Sequence, residues 1–142
     1  MTGRPSVGVP TVSVSARWLG EGLQFEGRAG ERLVRVDGNS KTAVSPVEML
    51  VVAAATCTGS DIVLILEKQR VQLRALDIGV LAERRPTEPR RVTGIHFRVS
   101  VSGDGATEDK VRRAVALSLE KYCSVVTSLA PDTRITYDVA IA

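Results

Sequence analysis

A helix-forming stretch that is apolar on nearly every side constrains this chain more than anything else in it. Ser45 precedes Pro46, and Glu48 stands three residues beyond the serine. The hydroxyl caps the first turn, proline suits the first helical position, and the glutamate closes a capping box. The run Val47-Glu-Met-Leu-Val-Val-Ala-Ala-Ala-Thr-Cys-Thr then carries the helix to about Arg70. A helix apolar all round is a buried one. Thr56, Thr58, Ser60 and Asp61 interrupt the run and argue against a membrane span, and Gly59 permits close approach by another backbone. A chain of 142 residues has little with which to cover residues 47–66 on every side. A homodimer that buries the helices between two sheets is therefore expected.

Around this helix the patterning has period two. Residues 11–19 alternate, with Val12, Val14, Ala16 and Trp18 on one face and Ser13, Ser15 and Arg17 on the other, which predicts a half-buried strand. Gly20-Glu-Gly turns the chain, Leu23 to Gly27 returns, and Glu31 to Asp37 forms a third strand ending in the turn Asp37-Gly38-Asn39. After the helix, Ala75–Glu83 and Val92–Ser102 read as a hairpin, with Ile95, Phe97, Val99 and Val101 inward and His96, Arg98 and Ser100 toward solvent. Thr107, Glu108 and Asp109 open a second long helix, whose stripes are Val111, Val115, Ser118, Tyr122, Val125 and Ala116, Leu119, Cys123, Val126. A last strand runs from Arg134 to Ile141. The prediction is an α+β chain in the order β-β-β-α-β-β-α-β, forming one domain over 1–142.

Both cysteines of the chain, Cys57 and Cys123, fall in segments that read as core helix. Neighbouring helices would bring two thiols together in a largely water-excluded place, the requirement for reversible thiol–disulfide chemistry. Equally, free cysteine is among the most buried residue types and serves as a small hydrophobe. The residues alone leave both readings open. A chain this long needs no disulfide framework, and two cysteines with one histidine, His96, lack the ligands and the C-x-x-C spacing of a zinc site. No metal and no organic cofactor is expected.

The first residues, Met1-Thr-Gly-Arg-Pro-Ser-Val-Gly, hold no apolar stretch after a charged start, so a reducing cytoplasm is the expected compartment. The net charge of +3 is modest. Arg84-Arg85 and Arg90-Arg91 sit in a Pro-broken stretch with compensating glutamates and no stacking aromatics, which reads as a solvated hairpin loop rather than a nucleic-acid surface.

The order of elements, the Ser45-Pro46-x-Glu48 helix start, the Ala53-Ala54-Ala55-Thr56-Cys57 segment and the Glu120-Lys121-Tyr122-Cys123-Ser124-Val125 segment resemble the OsmC/Ohr family, the osmotically inducible and organic-hydroperoxide-resistance proteins. The likeness covers nearly the whole chain. It implies an intertwined homodimer with two sites at the subunit interface and a thiol-dependent peroxidase for organic hydroperoxides. It further implies that Cys57 attacks the peroxide as thiolate and becomes a sulfenic acid. Cys123 then resolves this to a disulfide, and an external dithiol reduces the pair.

The family's peroxidases support the thiolate with an arginine from the early strand-loop region and a glutamate directly after the helix-start proline. Here Val47 follows Pro46, and the carboxylate comes one position later at Glu48, a rotation of about 100° on a helix. Glu48 is therefore a candidate both for the site and for the capping box alone. Arg35 fits the arginine's place best, ahead of Arg17, and either can equally be a solvated strand residue. Ser124 stands where many members carry proline. These departures look like a divergent OsmC-like branch. They leave open other small-thiol or sulfur-electrophile chemistry, and an apolar-ligand-binding protein whose cysteines only pack.

Overall fold

The computed structural model describes residue 3 and residues 8–142. The chain divides into two compact units, residues 1–49 and 50–142, and its elements follow the expected order.

The first unit is an antiparallel meander of β1 (Ser15–Trp18), β2 (Gln24–Ala29) and β3 (Arg32–Asp37). β1 is shorter than the alternation over 11–19 predicts, and all four of its residues are exposed rather than half-buried. Its pairing starts at Ser15 opposite Arg28, so the residues before it face only the end of β2 and the turn at Gly30. Val12 and Val14 consequently lie open, 92% and 69% exposed. The rows Trp18–Phe25–Val36 and Ala16–Gly27–Val34 give the sheet one apolar face, and Arg17–Glu26–Arg35 lies on the other. Gly27 is required in its row, because a Cβ there would stand 2.9 Å from Val34 Cγ1.

β3 ends on a carboxylate that organises the next loop. Asp37, 2% exposed, accepts the N–H groups of Asn39, Lys41 and Thr42 and the Thr42 hydroxyl at 2.8–3.2 Å. The capping box forms as predicted: Glu48 N–H donates to Ser45 Oγ (3.1 Å) and Ser45 N–H to Glu48 Oε1 (2.9 Å).

Helix α1 (Pro46–Lys68) starts at that box and continues through the second unit. It ends in a Schellman motif, with Val71 N–H on Leu66 O and Arg70 N–H on Glu67 O, and Arg70 holds the left-handed position at φ 61° where glycine is usual. By length and composition alone α1 passes for a membrane span, with a mean hydropathy of 2.0. One stripe of it packs inward within the second unit. Ala54, Thr58, Gly59, Ile62 and Leu66 are buried, and a Cβ at Gly59 would stand 3.1 Å from Ile78 Cδ1. The close approach that Gly59 allows is thus to side chains of a sheet rather than to another backbone.

That sheet has the order β4 (Gln72–Arg84), β5 (Val92–Asp104), β6 (Arg134–Ile141), with β5 antiparallel to β4 and parallel to β6. A parallel neighbour needs a crossover, which α2 (Glu108–Leu117) and the turns after it provide. Ile95, Phe97, Val99 and Val101 of β5, at most 2% exposed, meet a core that includes Ile62, Leu66, Val111, Ala114 and Val115. Each such side chain contributes about 1.5–3 kcal/mol. His96, expected toward solvent, is on the outer face but half-buried, 2.7 Å from Thr136 Oγ1 and 3.0 Å from Asp138 Oδ2. The paired arginines lie at the end of β4 and in the loop to β5, where Arg84 donates to the Arg90 carbonyl and Arg91 pairs with Asp132.

The second helix departs from expectation. Thr107 caps it through Lys110 N–H, but α-helix ends at Leu117, a π-helical turn occupies Ser118–Tyr122, and Cys123 lies beyond, extended at φ −72°, ψ 103°. Cys123 is therefore not on a helix, and the stripes read through Val125 and Val126 are broken at this point. A short 3₁₀ turn, Val126–Ser128, follows.

Candidate functional site

Cys57 and Cys123 reach the second unit's interior by different routes. Cys57 rides on α1 and is partly exposed, whereas Cys123 is fully buried at the mouth of the π turn. That turn is closed by Cys123 N–H on Ser118 O at 2.8 Å, a five-residue span where an α-helix would use four. Both cysteines are free thiols.

Two donors point at the Cys123 sulfur. The Thr58 hydroxyl lies at 3.5 Å and the Val126 N–H at 3.4 Å. Burial pushes the Cys123 thiol above its ordinary range, the two donors pull it back, and the neighbouring Cys57 thiol raises it further through hydrogen bonding and charge. Cys57 is thus near enough to Cys123 to influence its proton. The net direction keeps Cys123 protonated at neutral pH.

Three turns of α1 continue from Cys57 along one stripe, through Asp61 to Leu64, Ile65 and Lys68. With Leu117 and Tyr122 these four residues line an open groove of about 430 Å³. Asp61 is held there by the buried Ser118 hydroxyl, which donates to Oδ2 at 2.8 Å.

The remaining candidates belong to the first unit. Arg35 faces Glu26 across the sheet, with Nε 3.7 Å from Oε2, and its side chain is 64% exposed. Arg17 flanks the same Glu26 from the other side in register. Glu48 Oε1 also accepts the Ser40 hydroxyl at 2.6 Å. That bond, followed by those from Ser45, holds its carboxyl below the usual range, so the capping role is occupied. Among the described residues, no three His, Cys, Asp or Glu side chains gather where a metal ion could be held.

Thr58 and Asp61 stood in the sequence only as interruptions of an apolar run, and Ser118 only as a member of a helical stripe. The signal was available in principle, since a polar group inside an apolar run needs a hydrogen-bond partner when buried. What the pattern cannot supply is the partner.

An α+β chain thus carries a partly exposed thiol on α1 and a buried thiol held by two donors. The chain belongs to the OsmC-like family, whose model, described as OsmC-like protein, matches residues 38–138. It is similar to protein YhfA of Escherichia coli, 39% identical over 127 residues that cover 88% of this chain and 94% of that one. A hypothetical protein from Aquifex aeolicus has a similar structure, with a TM-score of 0.82, 26% identity, and coverage of 94% and 99% of the two chains. An organic hydroperoxide resistance protein OsmC from Legionella pneumophila, at 14% identity and a TM-score of 0.65 over 94% and 98%, shares the fold.

Proposed function

We propose that the chain is a thiol-dependent peroxidase for organic hydroperoxides, serving oxidative-stress defence in the cytoplasm with Cys57 as nucleophile and Cys123 as resolving thiol. The asymmetry of the two thiols carries this reading: one is open to an incoming molecule, while the other is shielded, hydrogen-bonded and adjacent. The Cys57 thiolate attacks a peroxide oxygen, so that an S–O bond forms as the O–O bond breaks. Sulfur is oxidised to sulfenic acid, and the peroxide is reduced to an alcoholate that takes a proton from water. The Cys123 sulfur then attacks the Cys57 sulfur, and hydroxide leaves with the Cys123 proton as water. An external dithiol reduces the disulfide, and no metal or organic cofactor takes part.

The apolar groove that begins one turn from Cys57 suits an alkyl tail. Leu50, Val52 and Leu64 of α1 are 38%, 46% and 57% exposed in the single chain. Apolar side chains so open support assembly as a homodimer. Membership of the OsmC-like family supports both points. A second reading, a binding protein for an apolar ligand, rests on the same groove with the cysteines as packing.

Titration of free thiols before and after stoichiometric cumene hydroperoxide separates them. Two thiols per chain disappear if the peroxidase reading holds. Two remaining thiols would leave the binding reading.

A thiolate in apolar surroundings needs a cation, and Arg35 is the candidate. Arg35→Met keeps the bulk and removes the charge. The rate of Cys57 oxidation by an alkyl hydroperoxide, followed by stopped flow, is expected to fall at least about tenfold, ~1.4 kcal/mol in transition-state stabilisation. An unchanged rate removes Arg35 from the mechanism.

A further inference from the structure

The Ser118 hydroxyl is fully buried and needs an acceptor, which it finds in Asp61 on a different element. The same serine opens the π turn, and its carbonyl receives the Cys123 N–H that closes it. Its own N–H is shared between the Ala114 and Val115 carbonyls. Ser118 therefore joins three things: the end of α2, the backbone of Cys123 and the side chain of Asp61. On α1, Asp61 follows Cys57 by one turn and Thr58 by three residues, so α1 holds segment 118–123 at both ends, by Asp61 to Ser118 and by Thr58 to the Cys123 sulfur.

An α-helix continued through Cys123 would pass its N–H to Leu119 and carry the side chain along the helix surface. The π turn instead releases the backbone into an extended conformation at Cys123, where its sulfur meets Thr58 beside Cys57. π turns are rare and gather at functional sites, and this one depends on a serine anchored from outside its own helix.

We propose that Asp61 is a positioning residue: through Ser118 it holds the π turn that presents Cys123 to Cys57, and so governs the rate of disulfide closure. This deepens the two-thiol reading above and rests on it. The step it governs is the attack of Cys123 on an oxidised Cys57 sulfur, in which the S–S bond forms, the group on Cys57 leaves and the Cys123 proton goes with it.

The test uses the full chain with Asp61→Ala, Ser118→Ala and Asp61→Asn, whose amide oxygen can still accept the serine hydroxyl. Thermal unfolding checks that each variant is folded. After one equivalent of cumene hydroperoxide, dimedone trapping reads sulfenic acid on Cys57, and non-reducing peptide mass spectrometry reads the Cys57–Cys123 disulfide. A misplacement of 1 Å can cost about 100-fold in rate. Asp61→Ala and Ser118→Ala are therefore expected to slow closure at least about tenfold, so that sulfenic acid accumulates; in Ser118→Ala, which leaves the groove lining intact, the sulfenic acid forms at the wild-type rate, and Asp61→Asn restores closure to within about threefold.

Diamide provides a route independent of peroxide. It adds to one thiol, and the second thiol displaces it as the hydrazine with formation of the same disulfide. A wild-type protein that closes with diamide but ignores hydroperoxide would sink the peroxidase reading alone. Slowed closure of Asp61→Ala and Ser118→Ala with diamide would still uphold the role of Asp61. Closure at the wild-type rate in both alanine variants, or no closure in the wild type, would overturn it. If Asp61→Ala alone fails to fold, Ser118→Ala against Asp61→Asn decides.

Discussion

Cys57→Ser is expected to lose hydroperoxide consumption entirely, while Cys123→Ser keeps one burst of it and no turnover. A serine hydroxyl is scarcely ionised where a thiol can be, and oxygen is not oxidised along the path that sulfur follows. The loss in Cys57→Ser should reach at least about 10³-fold, or ~4 kcal/mol. In Cys123→Ser the first step is intact, so about one equivalent of alcohol appears per chain. The sulfenic acid then has no partner within the protein and, under excess peroxide, passes more slowly to the sulfinic state with release of a second equivalent of alcohol. Alcohol release measured against total protein, with intact mass to read the oxygen atoms on Cys57, distinguishes the two variants. Equal bursts from both would remove the assigned roles. The wild-type closing step should also accelerate with pH. Burial keeps Cys123 protonated, and its nucleophilic thiolate grows as pH rises toward the elevated pKa.

The largest expected effect on stability comes from Asp37→Ala in the first unit. The carboxylate satisfies three backbone N–H groups and one hydroxyl, and its own surface is 2% exposed. Alanine removes all four acceptor contacts and offers none. Loss of a hydrogen-bonding hub of this kind is among the severe mechanisms of destabilisation, and Tm should fall by about 5 °C or more. The effect depends on pH in a defined sense. The N–H bond from Asn39, then that from Thr42, holds the Asp37 pKa below its ordinary 3.8. A depressed carboxyl contributes stability that is complete above the unfolded value and disappears as pH falls through the folded one. The gap between wild type and Asp37→Ala should therefore be widest near neutrality and begin to close below about pH 4. Thermal melts across that range check it, and a gap that widens toward acid would contradict the role given to Asp37.

Much of the architecture was legible before any coordinates. The meander, the capped α1, the long hairpin and the last strand follow from alternation and turn residues. Local rules sufficed there because turns and caps are settled within a few residues. They failed where an element's extent depends on a partner. Val12 and Val14 alternate like strand residues, yet opposite them β2 ends at Ala29 and turns at Gly30. Sequence periodicity also carried a helix straight through Cys123, because each residue from Glu108 to Val126 is compatible with one. The π turn that ends it is stabilised by Asp61, more than fifty residues earlier, and no local window contains both partners.

The sequence by itself determined the order of elements, the start of α1 at Ser45 and the presence of two thiols in apolar surroundings. Hydrophobic period and capping chemistry are properties of neighbouring residues, so these can be read along the chain. Only the tertiary structure decided that Cys123 leaves its helix, that Thr58 and Val126 face its sulfur, and that Asp61 anchors Ser118. Glu48 is a further case: the same carboxylate reads as cap or as site, and the bonds to Ser40 and Ser45 define the cap. Each of these is a hydrogen bond whose partner is chosen by packing. A buried polar group must find such a partner, but which one it finds depends on what the fold brings within about 3 Å.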